Sequence, residues 1–426
     1  MQKSKTITQC RVCFSKKLDF ILSLGNQYTI NFLDAKKSPY PKMPIEIVLC
    51  NPVAGGCGLV QLRHTLPIDL MYREFWYVSG VNQSMRDALA DVVRNVERIV
   101  PLQAGDIVLD IGSNDSTLLR SYHKPSIVRV GFEPASNLMN KARDGVAKII
   151  NTFFNYADFR KALGDKKAKV ITAIAMFYDL DDPNTFVADI AKILDADGLF
   201  IIQMNYLPTM LRDNAFDNIF HEHLEYYSLA PLEYLLEQHG LEVFDIELNG
   251  VNGGSIRAYI RHTGAHAPKS LPSAKKRLAK VRHDERRQGL QKRTVYDAFS
   301  RRVQAIKKKL TNFIDTETKK GKRVYVYGAS TRGNTLLQFC QLGYPRLTAA
   351  ADRNPMKWGK KIVGSWVPII SEDQARREKP DYFLILPWYF LPEFLKREHK
   401  YLQSGGKFIV PLPSIRIIGK RNIVRL

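Results

Sequence analysis

The sequence predicts an α/β protein: a small N-terminal metal-binding module followed by two Rossmann-like units. Three observations carry this reading. Strand-like and helix-like segments alternate from about Asp87 to His262 and again from Arg323 onward, the pattern of a parallel sheet covered by helices. In each stretch a buried strand runs into a turn of small residues, Ile107–Asp110 into Gly112 and Val324–Tyr327 into Gly328. Four of the five cysteines fall within the first 57 residues. A chain of 426 residues allows two to four domains at about 100–200 residues each. The boundaries expected are 1–70, 71–265, 266–320 and 321–426.

The first module is defined by Cys10 and Cys13, then Cys50 and Cys57 beside Gly55, Gly56 and Gly58. Two such knuckles bring four thiolates to one tetrahedral ion. In a cytosolic chain, paired cysteines more often hold metal than form disulfides. Structural Zn2+ is expected, with redox-active or buried thiols as the alternatives. Four sulfur ligands leave no open position for catalysis. Cys340, within Leu336, Leu337, Phe339 and Leu342, reads as a core residue.

In the central unit, strands are expected at Asp106–Ile111, Ile127–Phe132, Val170–Met176 and Leu199–Met204. Helices are expected around Leu138, Phe186–Leu194 and Leu232–His239. Residues Gly264–Ser273 read as a linker. Beyond it Val295, Phe299, Val303, Ile306, Leu310 and Phe313 recur at spacings of 3 and 4, one face of a long amphipathic helix. The last unit then has strand Val324–Tyr327, helix Thr335–Leu342, and strands at Leu347–Ala351, Tyr382–Leu386 and Lys407–Pro411.

The turn Asp110-Ile111-Gly112-Ser113-Asn114-Asp115 ends the first strand of the central unit, where ligands bind in open α/β sheets. Glu133 follows Asp110 by 23 residues and ends the second strand, placed to accept from ribose hydroxyls. No G-x-G-x-x-G is present, which disfavours a dinucleotide. S-adenosylmethionine fits better: ribose on Glu133, the methionine portion near Gly112 and Asn114. Asp110, Asp115, Pro134 and Met176 complete the expected cofactor surroundings.

A second concentration of chemistry is Phe220-His221-Glu222-His223. It offers a general base near neutral pH and a group to orient it. A metal site or an inert polar loop is the alternative, and the H-E-x-x-H spacing of helical zinc sites is absent. Neighbours on an extended segment face opposite ways, so His221 competes with His223 for the role. The loop Asn249–Ser255 allows close backbone approach or is a hairpin turn. Tyr327–Thr335 feeds a helix N-terminus and suits an anion, with Ser330 and Asn334 beside the planar fork of Arg332; a purely structural turn is the alternative.

Lys and Arg exceed Asp and Glu by 64 to 42, a net of +22. Between Lys269 and Arg323 there are 19 basic and 5 acidic residues, hence +14 of that excess. This is a solvated helix face, a field that steers an anionic substrate, or a nucleic-acid surface. No apolar run approaches the ~20 residues of a membrane span, and MQKSKTITQC lacks a secretory h-region. A cytoplasmic location, with no membrane partner, is expected.

Taken together these residues resemble the S-adenosylmethionine-dependent C-methyltransferases of nucleotide-linked deoxysugars. The likeness spans nearly the whole chain. It rests on the four-cysteine module with Cys57–Leu62, Tyr77-Val78-Ser79-Gly80, the Asp110–Asp115 turn, Phe220–His223, Gly253-Gly254-Ser255, and Tyr327–Thr335. It implies a class I methyltransferase domain joined to a C-terminal Rossmann-like domain, with a 4-keto nucleoside-diphosphate sugar between them. It implies a base that removes the C3 proton and an enolate that takes the methyl group. By likeness His223 is the base, Glu222 orients or polarises it, Tyr77 lies near the sugar, and Ser255, Ser330, Arg332 and Asn334 bind substrate. Departures are Phe220 for Tyr, Asp179 for His after the fourth strand, Ser116 for Gly and Arg332 for Lys. Two other classes stay open: a non-catalytic binder of sugar nucleotide or S-adenosylmethionine, and an RNA methyltransferase. No nucleic-acid partner, and a monomer or weak homo-oligomer, are the expectations.

Overall fold

The computed structural model describes residues 5–29, 32–33, 42–72, 77–266, 268, 271–420 and 422–426. Part of the linker expected at Gly264–Ser273 lies outside these residues.

Among the described residues the central unit is a seven-stranded sheet. Its order is Leu241–Asn249, Ser255–His262, Leu194–Asn205, Ala168–Ile174, Ile107–Ile111, Val128–Phe132, Lys148–Ile150. The five strands from Leu194–Asn205 to Lys148–Ile150 run parallel, and Ser255–His262 joins them antiparallel. The sheet is therefore mixed where alternation alone suggested a parallel one. Residues of Ile107–Ile111 are all buried, as a strand covered on both faces requires. It sits centrally, with neighbours on either side that follow it in sequence. Its carboxyl end is thus the switch point at which such sheets bind ligands.

The C-terminal unit repeats the logic. Strands Ile369–Ser371, Leu347–Asp352, Val324–Tyr327, Tyr382–Ile385 and Lys407–Val410 are parallel, and Arg416–Ile418 and Ile423–Arg425 extend the edge antiparallel. Helix Thr331–Phe339 leaves the central strand, capped by Ser330, whose Oγ accepts from Gly333 N at 3.0 Å. The apolar period after the linker becomes one helix, Arg293–Lys319, which buries Phe299, Val303, Ile306 and Leu310.

The N-terminal strands Leu18–Tyr28, Lys42–Cys50 and Val60–Leu62 form an antiparallel sheet, and the two-residue strand Glu225–Tyr226 of the central unit completes it. The chain just past Phe220–His223 is thereby pinned to the first module. One apolar core joins this sheet to the long helix and the C-terminal unit. A second joins the cysteine end of the module to the central sheet. Ile306 and Leu310 belong to the same buried cluster as residues of both end modules, so the modules share cores and do not hang as separate beads. No helix among the described residues is long and apolar enough to cross a membrane.

Candidate active site between two Rossmann-like units

The four cysteine sulfurs lie within 4.8 Å of one another. Cys13 and Cys50 Sγ are 3.3 Å apart, Cys10 and Cys57 Sγ 3.6 Å. A tetrahedron of Zn–S bonds of about 2.3 Å has edges near 3.8 Å. The cage fits one structural Zn2+. Arg11, enclosed between two ligands, is buried and donates to Asp181 Oδ1 at 3.2 Å and to the Leu62 carbonyl at 2.7 Å. Asn184 Nδ2 donates to the carbonyls of Arg11 and Val12 at 2.9 and 3.0 Å. The metal knuckle is thus bonded to the segment that follows the fourth strand of the central sheet.

At the carboxyl end of Ile107–Ile111 the backbone turns through Gly112 (φ 69), Asn114 (φ 53) and Ser116 (φ 62), all left-handed. Gly112 accepts this freely, and a Cβ there would meet Met176 Cγ at 3.2 Å, so the bare backbone leaves a floor under Met176. Ser116 holds the same conformation with a side chain, its Oγ donating to the Ala142 carbonyl at 2.7 Å. Glu133 Oε2 accepts from Asn114 N at 2.7 Å and Oε1 from Ala135 N at 2.7 Å. Each carboxylate oxygen keeps a lone pair for a further donor. Ser113 Oγ is buried without a partner among the described residues. An orphaned hydroxyl, a fixed acid and a bare glycine fit a bound adenosyl group. Asp110 is buried beneath this turn, accepting from Thr172 Oγ1 at 2.6 Å, and burial pushes its carboxyl up to about 7. Pro134 is half-buried beside Glu133.

Asn114 and Asp115 use their side chains differently from a direct ligand contact. Asn114 Oδ1 accepts from Ser79 N at 2.9 Å and its Nδ2 donates to the Tyr77 carbonyl at 3.1 Å; Asp115 Oδ2 accepts from Gly80 N at 3.0 Å. They hold the Tyr77–Gly80 turn over the strand ends. Tyr77 stands close enough to Tyr178 and Tyr389 to interact with both.

The His221–His223 segment separates its two imidazoles. His221 Nε2 meets the Met43 carbonyl at 3.2 Å, turned into the N-terminal sheet. His223 Nδ1 meets the Asn218 carbonyl at 3.0 Å. A carbonyl only accepts, so Nδ1 carries the hydrogen and Nε2 keeps its lone pair. The ring packs against Tyr178 at 4.3 Å and Phe220 at 3.9 Å. Burial first, and the Arg332 charge second, push His223 down to about 3 and keep it neutral. Glu222 is pushed up to about 7 by burial.

Arg332 is not an open fork. Its Nε and Nη2 bind Asp217 Oδ2 and Oδ1 at 3.0 and 3.1 Å, and Nη1 donates to the Asn252 carbonyl at 2.6 Å. Trp388 Nε1 donates to the same Asp217 at 3.1 Å, and the guanidinium lies 4.7 Å from the Tyr389 ring centre. This buried pair ties the C-terminal unit to the central one beside Gly253, whose added Cβ would meet Tyr389 and Arg332. Ser255 Oγ donates to the Val251 carbonyl at 2.9 Å within that loop. Asn334 is buried in the helix that Arg332 opens.

His223 packs on Tyr178, and Glu222, Tyr77 and Arg332 lie near enough to Tyr178 to act on it, with Gly112, Glu133 and Met176 at the neighbouring strand ends; His221 turns away from Tyr178 and lines, with Glu222, Gln27 and Thr331, a small pocket between the N-terminal sheet and the C-terminal unit. Sequence reasoning missed Tyr72, Tyr178, Asp217, Asn218, Tyr389 and Asn252. Asp217-Asn218, two polar residues set between Phe216 and Ile219, was the available signal. Tyr72 and Tyr389 carry none, since long-range packing places them.

Comparison with known proteins bears on the same division. Residues 10–72 match a family described as a putative zinc binding domain, 83–246 a methyltransferase domain, and 250–413 a C-methyltransferase C-terminal domain. The chain is 31% identical over 422 residues to C-methyltransferase NovU of Streptomyces niveus, covering 98% of each. Among solved structures it is similar to an S-adenosylmethionine-dependent methyltransferase from Clostridium acetobutylicum (14% identity, 43% of this chain and 94% of that one, TM-score 0.32). It is also similar to the magnesium protoporphyrin IX methyltransferase of Synechocystis with bound SAH (12% identity, 43% and 89%, TM-score 0.33). With a four-cysteine cage, a bare Gly112 and a fixed Glu133 at the switch point and a relative matched over 98% of its length, this chain belongs to the S-adenosylmethionine-dependent C-methyltransferase family.

Proposed function

We propose that this enzyme methylates a carbon, C3, of a 4-keto nucleoside-diphosphate deoxysugar through an enolate. The observation that carries the reading is His223: a buried, neutral imidazole whose Nδ1 is spent on Asn218 and whose Nε2 is left as the acceptor, set between the cofactor turn and the C-terminal unit. S-adenosylmethionine, when bound, supplies a methyl group on a sulfonium. A carbon becomes nucleophilic enough to take it only once a neighbouring carbonyl lets it lose a proton. His223 accepts that proton at Nε2. Glu222, on the same short segment, is poised to share it, since a carboxyl that titrates near neutral pH is suited to proton transfer. Tyr77, held by Asn114 and Asp115, covers the sugar.

The diphosphate is assigned to the start of helix Thr331–Phe339, where backbone N–H groups and the helix dipole favour an anion. Ser330 shapes that start as its cap, and Asn334 backs it from inside. Arg332 contributes charge and a fixed wall there, its fork being occupied by Asp217. Ser255 sets the loop that faces this wall. The basic segment raises the local concentration of a dianion. Several of its side chains turn inward, Arg277 to Asp245 and Arg302 to Asn214, which favours steering over a nucleic-acid surface. A cytoplasmic enzyme is the setting this implies.

The test is mass spectrometry of products from a panel of 4-keto sugar nucleotides with methyl-labelled S-adenosylmethionine. Label on a sugar carbon is expected. Transfer of label to none of them, with the cofactor still bound by calorimetry, removes the reading and leaves a binding protein.

A further inference from the structure

We propose that a cavity between the N-terminal sheet and the C-terminal unit takes the nucleoside half of the substrate, with Trp366 as the platform for its base and Lys42 as the cation for the phosphate beside its ribose. This rests on the sugar-nucleotide reading above and adds where the far end of that substrate lies. The cavity measures about 260 Å³ and is lined by Asn26 and Lys42 of the N-terminal sheet, Gln338 and Gln341 on the helix side, and Tyr344 and Trp366 on two loops. Sites for whole small molecules run to about 300–1,000 Å³ and favour the seams between units. This cavity lies on such a seam and is too small for an entire sugar nucleotide. It has a continuation, because Gln338 also lines the small pocket that holds Glu222 and Thr331. Helix Thr331–Phe339 therefore runs along both. Thr331 and Gln338 are seven residues apart, about 10 Å of helix at ~1.5 Å per residue, the span of a diphosphate and a ribose. With the diphosphate at the helix start, the ribose comes next along the helix and the base beyond it.

The walls of the cavity are tightly seated. Gln338 Oε1 accepts from Tyr28 N at 2.9 Å, which fixes the helix against the sheet. A Cβ on Gly364 would lie 2.6 Å from that same oxygen, and a Cβ on Gly343 2.4 Å from the Ser365 carbonyl oxygen. Both positions exclude a side chain, so the loop 364–366 sits directly on 342–344, where Tyr344 N donates to the Ser365 carbonyl at 2.9 Å. Trp366 closes this seat. Its backbone is left-handed, with φ 58, a costly conformation for a bulky residue and one that collects at binding sites. Its indole meets the Tyr28 ring edgewise at 5.7 Å and is still 38% exposed. Tyr344, on the same cavity, is 62% exposed. Stacking of a base on an aromatic face uses such rings, and it tolerates any base because each has a π-face.

The polar lining matches a nucleoside phosphate. Lys42 Nζ lies 5.0 Å over the Tyr28 ring and pairs with no carboxylate among the described residues. Arg346, the other cation on the wall, is already engaged by Asp315 at 3.0 Å and by the Gln341 carbonyl. The charge left for a ligand is therefore Lys42, whose long stem carries it to a phosphate between the two pockets. The side-chain amides of Asn26 and Gln341 make no hydrogen bond among the described residues, and each offers a donor and an acceptor to a base edge. Lys42 opens the strand Lys42–Cys50, whose last residue belongs to the cysteine cage. The first module thereby holds metal at one end of a strand and meets substrate at the other.

The experiment titrates the full-length protein with the diphosphates of adenosine, guanosine, cytidine, uridine and thymidine, following heat and tryptophan emission. The parent should bind at least one of them, with quenched emission, and a sugar nucleotide of the same base should displace it. Trp366→Phe keeps a ring and should bind that diphosphate within about threefold of the parent while losing most of the quenching, the scale of a conserved stack. Trp366→Ala should bind it about 5–100-fold more weakly, the scale of one lost base–aromatic stack, and should raise the KM for the sugar nucleotide in step. Lys42→Ala should weaken the diphosphate about 3–10-fold and the unphosphorylated nucleoside hardly at all, as for one lost charge contact near solvent. Parent-like affinity in Trp366→Ala overturns the proposal, and so does full quenching in Trp366→Phe. A parent that turns over sugar nucleotides yet binds none of the five diphosphates overturns it as well. A diphosphate that binds without being displaced by any sugar nucleotide marks a separate nucleotide site and overturns the assignment to substrate. If the binding results hold and no 4-keto sugar nucleotide is methylated, the reaction falls and the nucleotide site stands.

Discussion

His223 and His221 show how the direction of one side chain decides a role. Both are buried, and burial pushes His221 to about 4 and His223 to about 3. Only His223 packs on Tyr178. His223→Ala should lower turnover by about 10²–10⁴-fold, the scale of a lost general base, while cofactor affinity by calorimetry stays near that of the parent. His221→Ala should cost stability through the lost Met43 contact and leave turnover per folded molecule within a few-fold. A dead His221→Ala with an active His223→Ala would exchange the two roles. Asp110 gives a pH prediction with a definite sign. Its native carboxyl titrates at about 7 against an unfolded value near 3.8, so between those values the native state binds more protons than the unfolded one. Stability from this group therefore falls as pH rises through that interval. The stability advantage of the parent over Asp110→Asn, measured by chemical denaturation, should shrink from about pH 4 to about pH 7 and then level off. The depressed histidines act oppositely, binding protons only when unfolded, so the difference between parent and variant is the quantity that isolates Asp110.

At the scale of the element, the zinc knuckle reaches the site through its backbone. Arg11 and Asn184 clamp the Cys10–Cys13 loop to the segment carrying Asp179 and Asp181, and strand Val60–Leu62 pairs with Glu225–Tyr226 just beyond His223. Both segments of the cleft are therefore braced from the first module. Removing Zn2+ from reduced protein with a chelator should lower the melting temperature and speed amide exchange in 177–185 and 220–226, while the C-terminal strands exchange as before. One zinc per chain is the elemental ratio expected of the intact protein. Unaltered exchange in both segments after the metal is gone would mean that the module folds and braces the cleft without it.

Across the whole molecule, the contact between the two Rossmann-like units is anchored by a charge pair. Arg332 and Asp217 are buried and doubly hydrogen-bonded, with Asn252, Trp388 and Tyr389 closing the rest of the shell. Deleting one partner strands the other charge, a loss of about 3–5 kcal/mol for a buried pair. Asp217→Ala and Arg332→Ala should each lower the melting temperature strongly. The double variant should lose clearly less than the sum, because its second change no longer exposes an unpaired charge. Additive losses in thermal unfolding would show that the two residues do not act as a pair.

The α/β alternation of the two units, the cysteine cage and the places where strands meet ligand turns were legible in the sequence, whereas the N-terminal sheet, strands Lys148–Ile150 and Leu241–Asn249 and the true start of helix Thr331–Phe339 were not. The legible features are local or periodic properties: 3.6- and 2-residue repeats, short knuckles, small residues after a buried strand. The sequence also marked Gly112, Glu133 and the His221–His223 segment. Tertiary structure alone decided which imidazole packs on Tyr178, because that depends on a carbonyl of Asn218 on one side and of Met43, some 180 residues earlier, on the other. It decided that Asn114 and Asp115 hold the Tyr77 turn, and that Arg332 spends its fork on Asp217. It brought Tyr72 to Asp179 and Glu222. Apart from His223 with Asn218, these contacts join residues distant in sequence through packing, and no pattern within a segment encodes a partner in another. Pattern specifies which residues are able to do chemistry; the shared cores that press three modules together decide which of them meet.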